Sequence, residues 1–303
     1  MKIPSIILIT GASGFIGRAL CQRLYTQHHV IALVRPGSRR LELLRPLPGI
    51  QIVCGDLDNI SAIIKQLGHI DAVVHLGWRG MSKEDQLCKR IQGQDLTNSL
   101  ALVDSAISAG CKVFVGGGSQ AEYGPTDSLV NEKAVCNPIT EYGKAKLQFT
   151  LDGAKLSSQA GMSFRVARIF SVYGPHDHPW TLISSLLHAL KKGELIPLSN
   201  CKQLWNYLFI DDAASALASM LEADCEDGVY NVASKITAPL RDFVLQIFAL
   251  YSSNIPPTFS QLSPSVGDSV SINPCIEKLL ANTGWVEKVD FSQGIQRTWE
   301  HLR

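Results

Sequence analysis

The chain has 303 residues, 46% of them hydrophobic and 18% charged, enough apolar material for one large domain or two modest ones. A formal net charge of +1 supplies no general attraction to nucleic acid or a membrane surface, and no apolar run is long enough for a membrane span or a signal segment. The eight cysteines (Cys21, Cys54, Cys88, Cys111, Cys136, Cys201, Cys225 and Cys275) form no Cys-x-x-Cys pair, which excludes a metal or redox motif of that kind and fits free thiols in a reducing cytoplasm.

The first predicted element is a buried strand, Ile6-Ile7-Leu8-Ile9. A helix over residues 14–27 follows. Further strands are predicted at 30–34, 50–53, 72–75, 112–115 and 163–167, with long helices over 84–109 and 140–160. The strand runs lack polar alternation, so both faces of their sheet are covered. Strands alternating with helices in this way predict a Rossmann-type, doubly wound parallel α/β sheet. After residue 171 the rhythm breaks and prolines and aromatics thicken. A helix is predicted at 180–191, a strand at 204–210, a helix at 211–221, a strand at 229–232 and helices near 240–251 and 274–283. The predicted organisation is a main domain over 1–170, with 204–232 returning to it. Residues 171–203 and 233–303 form a smaller interleaved lobe for substrate.

Between the first strand and first helix stands Thr10-Gly11-Ala12-Ser13-Gly14-Phe15-Ile16-Gly17. Glycines permit a tight turn there, and amides at a helix start can meet a pyrophosphate. A bare strand-to-helix turn is the alternative. An acidic residue at the end of the second strand would bind the ribose hydroxyls of NAD. That strand instead runs into Arg35-Pro36-Gly37-Ser38-Arg39-Arg40, with no carboxylate before Glu42. Arg35 and Arg39 suit the 2′-phosphate of NADP, unless the loop is merely a solvated basic one. Asp56, with Leu57 after it, is a candidate for the adenine side or an ordinary helix cap. Tyr142 and Lys146 are four apart, which puts them on one helix face. A nearby ammonium makes a phenol easier to ionise.

Taken in order, these blocks resemble the extended short-chain dehydrogenase/reductase family, in its nucleotide-sugar epimerase/dehydratase/reductase branch. Residues 10–17 are similar to its TGxxGFxG turn. Asp71-Ala72-Val73-Val74-His75-Leu76 resembles the block whose following residues, Leu76 and Gly77, line the cofactor. The run 118–124 resembles the block with the catalytic Ser/Thr, Tyr142 and Lys146 the YxxxK pair, residues 168–175 the RxxNvYGP block, and 206–212 the strand returning to the main domain. The resemblance implies that Tyr142 exchanges a proton with the substrate oxygen. Lys146 lowers its pKa and binds the nicotinamide ribose, Ser119 positions the same oxygen, and the cofactor carries the hydride. It also implies that the two long helices pair in a homodimer.

Departures from the pattern narrow the reaction. The Asp-Glu pair of 4,6-dehydratases is Gln120-Ala121 here, so elimination is not expected. Trp205 stands where a diphosphate-binding Arg is common, and Ser171 replaces the family Asn; Arg241 or Arg297 are possible substitutes for the lost cation. The serine loop resembles that of reductases of 4-keto-6-deoxy nucleotide sugars, such as CDP-abequose-type synthases. The reading is therefore NADPH-dependent reduction of a C4 ketone. Three alternatives stay open: an NAD(P)-dependent 4-epimerase, a catalytically idle NADP-binding sensor or scaffold, and a reductase of small ketones or steroids on the same fold. Trp78, Gln120, Ser171, His176, Trp205 and Asn206 are candidate substrate contacts, with His178 and Trp180 nearby. No metal site is expected, since His176 and His178 lack a third ligand.

Overall fold

The structure, a computed structural model, describes residues 6–44, 47–126, 128–194, 196–251, 257–259, 271 and 273–302. Seven parallel strands make the main sheet: β1 (Ile6–Thr10), β2 (His29–Val34), β3 (Ile50–Cys54), β4 (Ala72–His75), β5 (Val113–Ser119), β6 (Ser163–Ile169) and β9 (Gly228–Val232). Their spatial order is β3-β2-β1-β4-β5-β6-β9. The direction of winding reverses between β1 and β4, paired with Thr10 opposite His75. A crevice at the carboxyl ends of those two strands is where ligands bind in such sheets.

Apolar helix faces cover both sides. On one side α1 (Phe15–Leu24) and α7 (Ile210–Glu222) pack together over the sheet, burying Leu20, Leu24, Ala213 and Leu217 against Ile7 and Ile9. On the other lie α2 (Ile60–Leu67), α4 (Lys89–Ser108) and α5 (Glu141–Ala160), with Ile64, Leu102 and Phe149 against Leu8, Phe114 and Phe164. The predicted helix over 84–109 is two elements, a single turn α3 (Lys83–Gln86) and then α4. The corner between them is tied by Gln92, whose amide donates to the carbonyls of Gly80 and Asp85 at 2.8 and 2.9 Å.

A second sheet holds three short strands, β7 (Ser171–Tyr173), β8 (Leu204–Phe209) and β10 (Thr237–Pro239), in the order β10-β8-β7. This corrects the expectation for residues 204–210. That strand does not return to the main sheet; it pairs with β7 and β10. Only α7 and β9 make the return, β9 pairing with β6. The remaining helices are α6 (Leu182–Lys192), α8 (Leu240–Tyr251), α9 (Glu277–Thr283) and α10 (Phe291–Glu300). Among the described residues no helix is long and apolar enough to cross a membrane.

Candidate active site

The glycine turn closes on backbone. Gly11 has φ +67°, and a Cβ there would lie 2.8 Å from the carbonyl of Leu76 and the amide of Gly77. A Cβ on Gly17 would lie 2.2 Å from the Gly11 carbonyl oxygen. These positions accept only glycine because β1, α1 and the loop after β4 meet here. Gly14 caps α1 without a side chain, so Phe15, Ile16 and Gly17 offer first-turn amides with no acceptor in their own helix. The Ser13 hydroxyl reaches that of Ser38 at 2.9 Å, joining the turn to the loop after β2. Arg35 and Arg39 are exposed in that loop. Arg40 instead reaches across to His178 Nδ1 at 3.4 Å.

The loop carrying Leu76 and Gly77 is fixed by a relay that the sequence does not announce. Buried His75 has Thr10 Oγ1 at 2.7 Å from Nδ1 and Ser99 Oγ at 2.8 Å from Nε2. Ser99 donates its one proton to the Asp95 carbonyl at 2.7 Å, so His75 Nε2 is the donor to Ser99 and Thr10 donates to Nδ1. Thr10 Oγ1 in turn accepts from the Gly77 amide at 3.1 Å. Burial drives the His75 pKa down to about 3, so the ring is neutral. Asp56 caps the turn that begins at Leu57 by accepting from the Asp58 amide at 3.3 Å, and pairs with Arg79 at 3.5 Å. Leu57 is buried, and its side chain would stand 3.2 Å from a Cβ on Gly77.

Ser119, Tyr142 and Lys146 come together at the end of β5. The Ser119 hydroxyl accepts from the Ala121 amide at 3.2 Å, and its amide donates to Glu122 Oε1 at 2.8 Å. Glu122 is fully buried and also accepts from Arg168 Nε at 2.8 Å and Thr150 Oγ1 at 3.2 Å. Tyr142 sits in the first turn of α5, after Thr140 caps the helix through the Gly143 amide at 3.0 Å. A Cβ on Gly143 would lie 2.4 Å from the Ala121 carbonyl oxygen, so the glycine after the tyrosine lets α5 close on the serine loop.

Lys146 Nζ donates to the Gly117 carbonyl at 2.7 Å and lies 3.7 Å from the ring centroid of Trp78. Trp78 packs edge-on against Tyr142 at 6.1 Å and donates its indole N–H to Gln92 Oε1 at 2.8 Å. Trp78 thus contacts the two residues of the YxxxK pair. The Tyr142 pKa is not lowered overall, contrary to what its spacing from Lys146 led one to expect. Burial pushes the Tyr142 phenol up to about 12, with a Ser119 hydrogen bond pulling it down and Glu122 adding to the rise. Burial also pulls Lys146 down to about 7, against the opposing charges of Glu122 and Asp95. Desolvation outweighs the Ser119 hydrogen bond at Tyr142 and the nearby carboxylates at Lys146.

A cavity of about 330 Å³ opens beside this cluster. Of the candidate substrate contacts, Gln120 and Trp205 line it, together with Ser119 and Tyr142. The others lie elsewhere. Asn206 is fully buried and donates to the Ser234 and Ile236 carbonyls at 2.8 and 3.0 Å, clasping the loop before β10. Ser171 pairs with Tyr207 inside the second sheet. His176 has φ +68° and faces His301, ring centroids 6.1 Å apart. His178 stacks on exposed Trp180 at 4.3 Å. Arg241 lies over the Phe259 ring at 4.0 Å, and Arg297 pairs with Asp211 at 3.5 Å. No cluster of three or more metal-ligating side chains occurs among the described residues.

A doubly wound sheet with a Ser, Tyr and Lys at the end of its fifth strand is the arrangement of an extended short-chain dehydrogenase/reductase, an oxidoreductase-type enzyme. The chain belongs to the NAD dependent epimerase/dehydratase family, whose pattern matches residues 7–233. Among its relatives is a CDP-abequose synthase from Salmonella typhimurium, 25% identical over 99% of each chain. Another is a dTDP-6-deoxy-L-talose 4-dehydrogenase (NAD(+)) from Aggregatibacter actinomycetemcomitans, 24% identical over 88% of this chain and 98% of that one. The fold is shared with a UDP-N-acetylglucosamine 4-epimerase from Methanobrevibacter ruminantium, solved with UDP-N-acetylmuramic acid (TM-score 0.88, 22% identity, 99% and 98% coverage). It is also shared with a UDP-glucose 4-epimerase from Thermotoga maritima, solved with UDP-glucose (TM-score 0.87, 21% identity, 97% of each chain).

Proposed function

We propose that the chain reduces the C4 ketone of a nucleotide-linked 4-keto-6-deoxysugar with NADPH. The observation that carries this reading is the placement of Ser119 and Tyr142 on the wall of one cavity, with Lys146 Nζ 5.8 Å from the Tyr142 ring centroid. Relatives named for chemistry at the C4 carbon of deoxysugar nucleotides support it. Gln120 and Ala121 after Ser119 supply neither acid nor base for water elimination.

The cofactor cradle fits a dinucleotide, because the turn at Gly11 and Gly17 leaves no room for side chains and opens a helix N-terminus. Residues 11–17 would hold the pyrophosphate, and Leu76 and Gly77 the side of the ring. Arg35 and Arg39, exposed with no carboxylate beside them on β2, favour the 2′-phosphate of NADP. Bound there, the cofactor supplies the hydride. Ser119 Oγ orients the carbonyl oxygen by hydrogen bonding. Tyr142, held protonated at neutral pH by burial, gives its phenolic proton to that oxygen as negative charge develops. Lys146 offsets the charge left on the phenolate.

The test is NADPH oxidation at 340 nm with freshly made dTDP-, CDP- and UDP-linked 4-keto-6-deoxysugars. Turnover that falls at least a hundredfold in Tyr142→Phe, with NADPH binding kept, is the expected result. Sugar interconversion without net NADPH use would replace the reading by a 4-epimerase, the activity named for both solved structures above. Activity untouched by Tyr142→Phe would overturn the proton-donor role, and cofactor binding with no turnover of any substrate would point to a sensor.

A further inference from the structure

The cavity beside Ser119 and Tyr142 is built from two kinds of surface. Tyr123, Phe170 and Trp205 present aromatic rings; Gln120, Thr126 and Asn273 bring amides and a hydroxyl. Among the described residues lining it there is no Lys, Arg, His, Asp or Glu. The guanidinium of Arg168 lies 4.4 Å from the Tyr123 ring centroid, but it is 3% exposed and paired with Glu122 at 2.8 Å. Its Nη1, though without a partner, is buried. No free positive charge reaches the cavity through that wall.

Two further polar atoms in the wall residues are unsatisfied. Gln120 Oε1 and Trp205 Nε1 are buried with no hydrogen-bond partner in the structure. One is an acceptor and the other a donor, and each costs free energy until something pairs with it. Neither atom is exposed to the cavity, so a hydroxyl-bearing ring donates to the first and accepts from the second only once the Gln120 and Trp205 side chains turn toward it. Its apolar face suits the aromatic walls. The volume, about 330 Å³, is at the small end of ligand cavities (roughly 300–1,000 Å³), room for one sugar ring and not for a whole nucleotide sugar.

We propose that this cavity is a neutral-ring site, which accepts an uncharged, hydroxyl-bearing sugar ring and rejects one carrying a carboxylate. A carboxylate placed there loses its water and meets neither a cation nor a set of convergent N–H donors. The proposal rests on the nucleotide-sugar reading above and adds that this wall excludes a ring bearing a carboxylate. It makes Gln120 and Trp205 the specificity-determining pair, and leaves the anionic diphosphate outside the cavity.

The test is a matched pair, UDP-glucose against UDP-glucuronate, with the thymidine diphosphate and cytidine diphosphate counterparts. Binding is measured by calorimetry on the full chain with and without NADPH. The neutral member is expected to bind at least tenfold more tightly, and Gln120→Arg, which adds a cation to the wall, to erase most of that preference. Equal binding, or tighter binding of the uronate, overturns the neutral-ring site and leaves the nucleotide-sugar reading standing. A wild-type preference that Gln120→Arg leaves intact overturns the assignment to this wall. Binding of neither member overturns the nucleotide-sugar reading and this inference with it.

Discussion

Lys146 is under two opposing demands. Burial lowers its pKa to about 7, whereas stabilising a phenolate needs the ammonium. The charges of Glu122 and Asp95 oppose that lowering, and the ammonium also meets the Gly117 carbonyl at 2.7 Å and the face of Trp78 at 3.7 Å. Trp78 is itself fixed by Gln92, so the aromatic face is presented rigidly. Because the folded-state pKa is depressed, the protonated fraction falls as pH rises through about 7. The expected outcome is a kcat/KM that declines above about pH 7 in wild type. In Trp78→Leu that limb should move to lower pH by about half a unit to one unit, the worth of a partly buried cation–π contact; Trp78→Phe should restore most of it. A limb unmoved by Trp78→Leu would mean that the ring does not hold the charge. The spacing of Tyr142 and Lys146 was readable from sequence because a helix repeats every few residues. The role of Trp78 was not, since it joins residues distant in the chain and local periodicity says nothing of such contacts. Trp78, a candidate substrate contact by sequence, packs against both the lysine and the tyrosine.

At the scale of elements, the approach of α5 to β5 governs the site. The strand predicted at 112–115 ends before three glycines, a residue type common in turns. The structure carries β5 through them to Ser119. The reason is steric: a Cβ on Gly116 would lie 2.7 Å from the Phe149 ring, and one on Gly118 would lie 2.6 Å from Glu122 Oε1. Bare backbone lets α5 lie close enough to bring Tyr142 to Ser119. Gly116→Ala is therefore expected to destabilise by about 1–3 kcal/mol, since Phe149 is fully buried and a packed core resists added volume. Gly93→Ala is the contrast. Gly93 lies on the exposed face of α4 with nothing within 4 Å of an added Cβ, and alanine there should stabilise by up to about 1 kcal/mol. Urea midpoints of the two variants against wild type check both signs. Equal effects would remove the close-approach explanation for the glycine run.

Across the whole molecule, single buried side chains tie together segments that are far apart in sequence. Asn231 on β9 donates to the carbonyls of Val130 and Cys275 at 2.9 and 3.0 Å and accepts from the Tyr123 hydroxyl at 2.6 Å. Asp212 accepts from the Lys288 and Val289 amides at 3.1 and 2.8 Å. Such clasps explain why the second half was the harder half to read. Repeated strand–helix units fix their own neighbours, but β7 and β10 have three residues each, too few for a pattern. The run at β8 shows a strand without showing which sheet it joins. His75 is the clasp at the centre of the main sheet, and its protonation links site geometry to global stability. Its folded pKa, about 3, lies below the ordinary 6.5. Between those values the unfolded chain takes up a proton that the folded one refuses, so stability falls as pH drops below 6.5 and stops falling from this source near pH 3. From pH 6.5 or above to pH 4.5 the loss attributable to His75 is roughly 2.5 kcal/mol. His75→Gln lowers stability at pH 7 by disrupting the relay through Thr10 and Ser99. It should nonetheless flatten the pH dependence by about that amount, measured as denaturant midpoints at pH 7 and pH 4.5. A slope identical to wild type would assign the acid sensitivity to other groups and would require His75 to be protonated in the folded state.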